Sequence, residues 1–165
     1  MRIFVFILFL IFSPALLSAD DAANTAITID LTLPKIEAHP YHKPYVAVWL
    51  EDENRKPLAG LALWAKEDTW YKDLRQWWRK LGRNNPAAYD AVSGATRLPG
   101  KHSIEWNGVL ANGEKVKPGI YLLNIEASRE EGGRSYVRKE ISIGAPQKHQ
   151  HAAEGELGEI TITLN

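Results

Sequence analysis

Several short segments of the chain alternate apolar and polar residues, and this period of two predicts an all-β fold. Residues 26–33 show the pattern, since Ile27, Ile29, Leu31 and Leu33 fall on one face and polar residues on the other. Successive side chains of a strand point to opposite faces of a sheet, so this alternation predicts strands buried on one side. The other predicted strands are 45–51, 58–65, 102–106, 119–128, 135–143 and 157–164.

The segments between the predicted strands are polar and rich in turn residues. Residues 52–57 read Asp-Glu-Asn-Arg-Lys-Pro, and residues 130–134 contain Gly132-Gly133, which predicts a hairpin. Seven short strands joined by such turns favour a sandwich over a parallel sheet. We therefore expect one immunoglobulin-like β-sandwich of about seven strands.

The N-terminus predicts export. Arg2 precedes an unbroken apolar run over 3–12, which residues 14–17 extend, and Ser18-Ala19 is followed by two aspartates. A basic start, an apolar stretch and a small residue at the boundary are typical of a secretory signal. We expect a signal peptide over 1–19 that is cleaved near Ala19, and a mature periplasmic domain over 20–165. The alternative is an uncleaved anchor, because a short apolar segment can be accommodated by a thinned bilayer.

Composition removes several classes of function. The chain has no cysteine, which excludes disulfides, thiolate metal sites and cysteine nucleophiles. The formal net charge is zero, so nothing indicates a nucleic-acid partner. A hydrolase is also disfavoured, because the sequence lacks a Gly-x-Ser-x-Gly nucleophile elbow.

Residues 68–81 break the strand pattern and predict an amphipathic helix. Gly82 ends the segment, and Asp68 or Thr69 is placed to cap its start. Together with the following loop this makes an insertion over 68–99, and loops of that length are usually functional. The apolar residues that share one helical face are Trp70, Leu74, Trp77 and Leu81.

A polar stretch over 146–155 reads as a flexible connector to the last strand. It contains His149 and His151, which leaves open a weak metal contact beside the simpler interpretation of a solvated loop.

The loop after the predicted helix reads Asp90-Ala91-Val92-Ser93-Gly94-Ala95-Thr96. It resembles the Asp-x-x-Ser-Gly-Ala-Thr acceptor motif of covalently flavinylated exported proteins. The resemblance implies that a FAD:protein FMN transferase joins the FMN phosphate to the Thr96 hydroxyl as a phosphoester. It also implies that Asp90, Ser93, Gly94 and Ala95 are recognition residues. The likeness ends at Thr96, because Arg97 and Leu98 stand where many such sites carry another hydroxyl.

Residues around the motif suit a flavin. Trp78 and Tyr89 are candidates to stack on an isoalloxazine ring, since aromatic side chains stack on flat aromatic rings. The arginines that offer charge to a phosphate are Arg75, Arg79, Arg83 and Arg97. The alternative is structural: an ordinary turn at the motif, aromatic residues in a core, and arginines on a solvated face.

A second block begins at Pro99 and contains Trp106-Asn107-Gly108, Asn112-Gly113 and Pro118-Gly119-Ile120-Tyr121. It resembles the immunoglobulin-like repeat of flagellar hook-capping proteins and secreted sorting modules. The Asn-Gly pairs predict turns with positive φ, and Trp106 and Tyr121 are expected to pack on the sandwich core.

Both blocks, with the tryptophan-rich helix between strands, resemble the periplasmic family called domain of unknown function 2271, over residues 25–164. That resemblance implies an association with flavinylation sites and with membrane-embedded oxidoreductases of PepSY type. The expected function is electron transfer by covalent FMN, without enzymatic activity of its own. The alternative is a binding or assembly module without cofactor, which offers a sheet edge or the aromatic helix to a partner.

Overall fold

A computed structural model of the chain describes residues 27–84, 89 and 91–165. The predicted signal peptide over 1–19 and part of the predicted insertion lie outside the described residues. Strands dominate the described residues, and a short helical segment, Asp68–Gly82, follows the third of them. The strands are β1 Ile27–Leu33, β2 Tyr45–Asp52, β3 Pro57–Trp64, β4 Ser93–Gly94, β5 Gly100–Trp106, β6 Gly119–Ser128, β7 Arg134–Ile143, β8 Gln147–His151 and β9 Ile160–Leu164.

The strands form two sheets, which confirms the all-β sandwich. One sheet has the order β5-β1-β9-β8 and the other β4-β3-β2-β6-β7. Neighbours are antiparallel, except that β4 runs parallel to β3. The orders β9-β1-β5 and β7-β6-β2-β3 match strands A-B-E and G-F-C-C′ of the immunoglobulin arrangement, with the last strand of the chain in the place of the first.

The space between the sheets holds an aliphatic core. The alternating residues Ile27, Ile29, Leu31 and Leu33 of β1 are buried there, as predicted, against the inward side chains of the opposite sheet. On β6 these inward residues include Leu123, which is fully buried. We call this region the inner core. Its composition explains the fold, because burial of apolar area is the main favourable contribution to folding.

The second sequence block packs as predicted. Gly108 and Gly113 have φ values of 77° and 84°, and the Trp106 side chain packs against the inner core. Tyr121 also packs there, and its hydroxyl donates a hydrogen bond of 2.8 Å to the carbonyl oxygen of Lys117. A tyrosine at the start of this strand that bonds backwards to the chain is a hallmark of immunoglobulin-like sandwiches.

A second buried region lies on the outer face of the five-stranded sheet, and it explains why β2 is buried on both faces. Tyr45, Ala47 and Trp49 point outward from β2, where the helical segment covers them with apolar side chains. The buried residues supplied by the helical segment are Leu74, Trp77 and Leu81, and Trp70 packs against them partly buried. We call this region the outer cluster.

The predicted regular helix is wrong in detail. The segment forms a 3₁₀ turn over Asp68–Asp73, a single α turn over Arg75–Trp77 and a π turn over Trp78–Gly82. The break falls at Leu74, whose ψ is 72°. Neither predicted cap is used, because the first turn starts after Glu67 without a side-chain hydrogen bond.

A buried carboxylate from β6 takes the capping role instead. Glu126 is fully buried and accepts hydrogen bonds from the backbone N–H groups of Gln76 and Trp77, at 3.0 and 2.9 Å to Oε2. Arg134 lies 3.0 Å from the other oxygen and balances the charge. The free N–H groups at the start of a helix are good partners for a carboxylate, so Glu126 fastens the helical segment to the sheet.

The flexible connector predicted over 146–155 is also wrong. Gln147–His151 forms β8 and pairs in antiparallel register with β9, so that His149 lies opposite Ile162 and His151 opposite Ile160. Both histidines therefore belong to an ordered edge strand.

Candidate functional site

The loop with the acceptor motif is fixed to one edge of the five-stranded sheet. Ser93 and Gly94 form β4, which pairs with Leu63 and Trp64 of β3. The carbonyl oxygen of Gly94 accepts a hydrogen bond of 2.9 Å from the N–H of Ala65. The Ser93 hydroxyl donates to the carbonyl oxygen of Tyr89 at 2.8 Å. Asp90, the first residue of the motif, lies outside the described residues.

Thr96 follows β4 in the extended connection to β5 and is partly exposed. Ala95 on one side and Arg97 on the other are exposed. A Cβ atom at Gly94 would make ordinary van der Waals contacts with Arg97 Nη2 and Trp64 Cδ1, both at 3.9 Å, so a small side chain could be accommodated there. The segment therefore carries a partly exposed threonine two residues after a strand that is paired with the sheet.

A cation and two aromatic rings lie beside this segment. The guanidinium carbon of Arg97 is 5.3 Å from the ring centroid of Trp64, and the His102 ring meets the same indole edge-on at 5.5 Å. His102 Nε2 is 2.8 Å from the carbonyl oxygen of Leu98. The sequence indicated Arg97 but not Trp64 or His102. These two residues lie on β3 and β5, outside the motif, and only the packing of those strands brings their rings together.

Tyr89 connects the motif to the outer cluster. Its ring lies against Gly60, where an added Cβ would come within 2.6 Å of Tyr89 Cδ1. The ring also meets that of Trp77 at 5.4 Å and 71°. Burial raises the pKa of the Tyr89 hydroxyl. Gly60 is therefore required for the position of Tyr89, since any side chain there would displace the ring.

Trp78, the other aromatic candidate, lies elsewhere. It is partly buried in the outer cluster, and a Cβ at Gly82 would meet its Cε3 at 2.8 Å. The structure thus places Tyr89 with Ser93 and Gly94, and Trp78 with the end of the helical segment. Of the four candidate arginines, Arg97 adjoins the motif, while Arg75, Arg79 and Arg83 are exposed on or after the helical segment.

A groove of about 340 Å³ opens beside the motif, where the edges of the two sheets meet. We call it the edge groove. Its lining includes Tyr89 and Val92 from the motif region, and Trp106 and Leu110 from the end of β5 and the following turn. The start of β3 lies along its length. The edge groove has no local sequence signal, because its walls come from segments far apart in the chain.

A metal site has less support in the geometry. His149 Nε2 is 3.0 Å from Gln147 Oε1. Within residues 27–84, 89 and 91–165, no group of three or more metal-ligating side chains is found.

The structure is therefore a two-sheet β-sandwich in which Thr96, partly exposed, follows the short edge strand β4. The chain belongs to the family described as "Predicted periplasmic protein (DUF2271)", whose model matches residues 26–159. Neither the curated proteins nor the solved structures contain a match to the chain. Over the part of the chain that the structure describes, no helix is long and apolar enough to cross a membrane.

Proposed function

We propose that the protein is an exported electron carrier with FMN bound covalently to Thr96. The FMN is attached by a FAD:protein FMN transferase, and the loaded protein exchanges electrons with a membrane oxidoreductase of PepSY type. The signal peptide over 1–19 is cleaved near Ala19 and delivers the chain to the periplasm. The protein is a carrier without a substrate of its own.

The observation that carries the proposal is the presentation of Thr96. Its segment leaves the sheet edge directly after β4, between exposed neighbours, and remains partly open to solvent. A hydroxyl that accepts a phosphoryl group must be approachable in line with the bond that breaks. An accessible threonine held on a sheet edge meets that requirement, and Gly94 leaves room for the transferase to approach.

The attachment reaction balances with FAD as the donor. The Thr96 hydroxyl oxygen forms a bond to the phosphorus on the FMN side of the pyrophosphate. The bond between that phosphorus and the bridging oxygen breaks, and AMP leaves with the electron pair. The hydroxyl proton passes to a base, for which Asp90 of the motif is the candidate in this chain.

Arg97 supports the product. Its guanidinium is next in sequence to Thr96 and is held over the Trp64 ring, 5.3 Å from the ring centroid. A phosphate on Thr96 keeps negative charge, and a neighbouring guanidinium binds such groups well. The flavin supplies the redox chemistry when it is bound, while this chain supplies attachment, position and electrostatics.

The test is intact-mass spectrometry of the exported protein after co-expression with the transferase. The wild-type chain and Thr96→Ser are expected to gain the mass of one esterified FMN, because both keep a hydroxyl. Thr96→Ala is expected to gain nothing. Thr161→Ala is the matched control, since Thr161 is a partly exposed threonine on β9, and it is expected to gain the full mass.

A mass gain that persists in Thr96→Ala would refute the assignment of this residue. A wild-type chain that never gains FMN would favour the alternative, a binding or assembly module without cofactor.

A further inference from the structure

We infer that the edge groove seats the isoalloxazine ring of the flavin, with Trp106 rather than Trp78 as the stacking residue. This inference rests on the proposed function, and it assigns the residues of this chain that contact the ring. It concerns the apolar lining of the groove, in which Tyr89 is the one residue that the sequence had indicated as a stacking candidate.

The first argument is the character of the groove. Its lining includes the aromatic residues Tyr89 and Trp106 together with the aliphatic residues Leu81, Val92 and Leu110. A flat aromatic ring with polar atoms at its rim matches such walls, because stacking and burial of apolar area both favour it. Pockets of a few hundred Å³ with mostly apolar walls are typical of small-molecule sites.

The second argument is that the Trp106 wall is formed in advance. The indole Nε1 donates a hydrogen bond of 3.1 Å to the carbonyl oxygen of Val109. The turn that follows is closed by the hydrogen bond from the Leu110 N–H to the carbonyl oxygen of Glu114, at 2.8 Å. A wall that is already ordered costs little further entropy when a ring binds.

The lining from the motif region is held by contacts of Tyr89. Its ring lies close to Gly60 and edge-on to Trp77, and its backbone carbonyl accepts a hydrogen bond from the Ser93 hydroxyl. The acceptor motif thus builds one side of the groove through its own hydrogen bond. This arrangement gives Ser93 and Gly60 a role in shaping the site.

The third argument is reach. Val92 lines the end of the groove nearer to Thr96, which follows it by four residues, so at most about 14 Å of extended chain separates these two residues. Trp106 lies farther along the groove, four residues past His102 on β5. The ribityl phosphate arm of FMN is an open chain that joins the ring to the ester oxygen. A tether of this kind raises the effective concentration of the ring at a nearby site, so modest intrinsic affinity is sufficient.

Trp78 does not line the edge groove, although it packs in the outer cluster beside Gly82. The residues that line the edge groove come from β3, the motif and the turn after β5, with Leu81 as the contribution of the helical segment.

The experiment is a titration of Thr96→Ala protein with FMN, without transferase, followed by visible circular dichroism and by quenching of flavin fluorescence. We expect saturable binding. Adding Ala111→Trp should weaken it about tenfold or more, because Ala111 is an exposed residue on the groove wall and the new side chain fills the space. Ala145→Trp is the matched control, an exposed alanine in the turn before β8, and should bind as the parent does.

A second variant tests the stacking residue itself. Trp106→Leu should lower the affinity for FMN and the dichroic signal to a similar extent, and Trp78→Leu should leave both close to the parent. Thermal melting reports whether Trp106→Leu remains folded; if it does not, Ala111→Trp decides the question alone.

The inference is overturned if FMN shows no saturable binding, if Ala111→Trp binds as well as Ala145→Trp, or if only Trp78→Leu weakens binding. These outcomes are separate from the mass experiment, because the titrated protein lacks the Thr96 hydroxyl. A protein that gains FMN on Thr96 and still fails the titration would keep its proposed function and lose only the edge groove as ring site.

Discussion

The inner core and the outer cluster bury side chains by different means. Between the sheets, the buried residues are mostly aliphatic and come from alternating strands. On the outer face, large aromatic rings share the buried space with carboxylates, of which Glu51 and Glu126 are fully buried. The inner core is a consequence of the sheet pattern alone, whereas the outer cluster depends on a segment that must be fastened to the sheet.

Charged groups add to the apolar contacts that hold the outer cluster on the sheet. Glu51 Oε1 accepts a hydrogen bond of 3.1 Å from Trp49 Nε1 and lies 3.7 Å from Lys80 Nζ. Its other oxygen is 3.8 Å from Arg138 Nη2. Buried ion pairs are costly to desolvate, so they hold their partners in a particular position more than they add stability. We therefore expect the outer cluster to open locally while the inner core stays closed.

The largest expected effect is at the inner core. Leu123→Ala should lower the free energy of unfolding by about 4 kcal/mol, because it removes a fully buried side chain and leaves a cavity. Denaturant unfolding measures the loss, and amide hydrogen exchange should speed up in both sheets. Ile120→Ala on the same strand is the control, since Ile120 is 51% exposed and should cost less than about 0.5 kcal/mol.

The next effect should be local. Glu126→Ala leaves the Gln76 and Trp77 N–H groups and Arg134 without their partner, which we expect to cost about 3 kcal/mol. Hydrogen exchange should quicken over residues 75–82, with little change in β1 and β9. Glu140→Ala, an exposed glutamate on β7, should change neither region.

Equal loss of protection in β1 and in the helical segment of Glu126→Ala would contradict the comparison. It would show that the outer cluster and the inner core unfold as one unit.

The smallest effect concerns pH and belongs to Tyr45 of the outer cluster. Burial, with the charge of Glu130 and a hydrogen bond of 3.3 Å to its Oε2, raises the pKa of Tyr45 from 10.0 to about 12. Between these values the unfolded chain loses this proton and the folded chain keeps it, so stability falls as pH rises. Below pH 10.0 the contribution is fully present.

Tyr45→Phe should therefore show a shallower fall in unfolding free energy between pH 10 and 12 than the wild type. Denaturant titrations at several pH values measure the two slopes. Parallel slopes would mean that Tyr45 ionises alike in the folded and unfolded chains.

The sandwich could be predicted from the sequence because apolar residues recur at every second position along β1, and because the alternate residues of β6 that face the inner core are also apolar. β8 escaped prediction because Gln147, Lys148, His149, Gln150 and His151 are polar on both faces, so no contrast marks a strand. β8 forms because β9 lies beside it and offers backbone hydrogen-bond partners, and residues 147–151 alone carry no information about that neighbour.

The helical segment shows the same limit. Its apolar spacing predicted which side chains are buried, and Leu74, Trp77 and Leu81 are buried as expected. The break at Leu74 and the capping by Glu126 depend on a strand about fifty residues further along. At the candidate site, the motif could be read from the sequence, but Trp64, His102 and Trp106 reach it only through the packing of separate strands.

The parallel pairing of β4 with β3 has a consequence for solubility. An uncovered strand edge invites pairing with other molecules, and β4 occupies part of the edge that β3 would otherwise expose. Loss of the pairing between β4 and β3 would leave backbone groups of Leu63 and Trp64 free to pair with another molecule. Ser93 and Gly94 therefore limit self-association at this edge as long as they stay in register with β3.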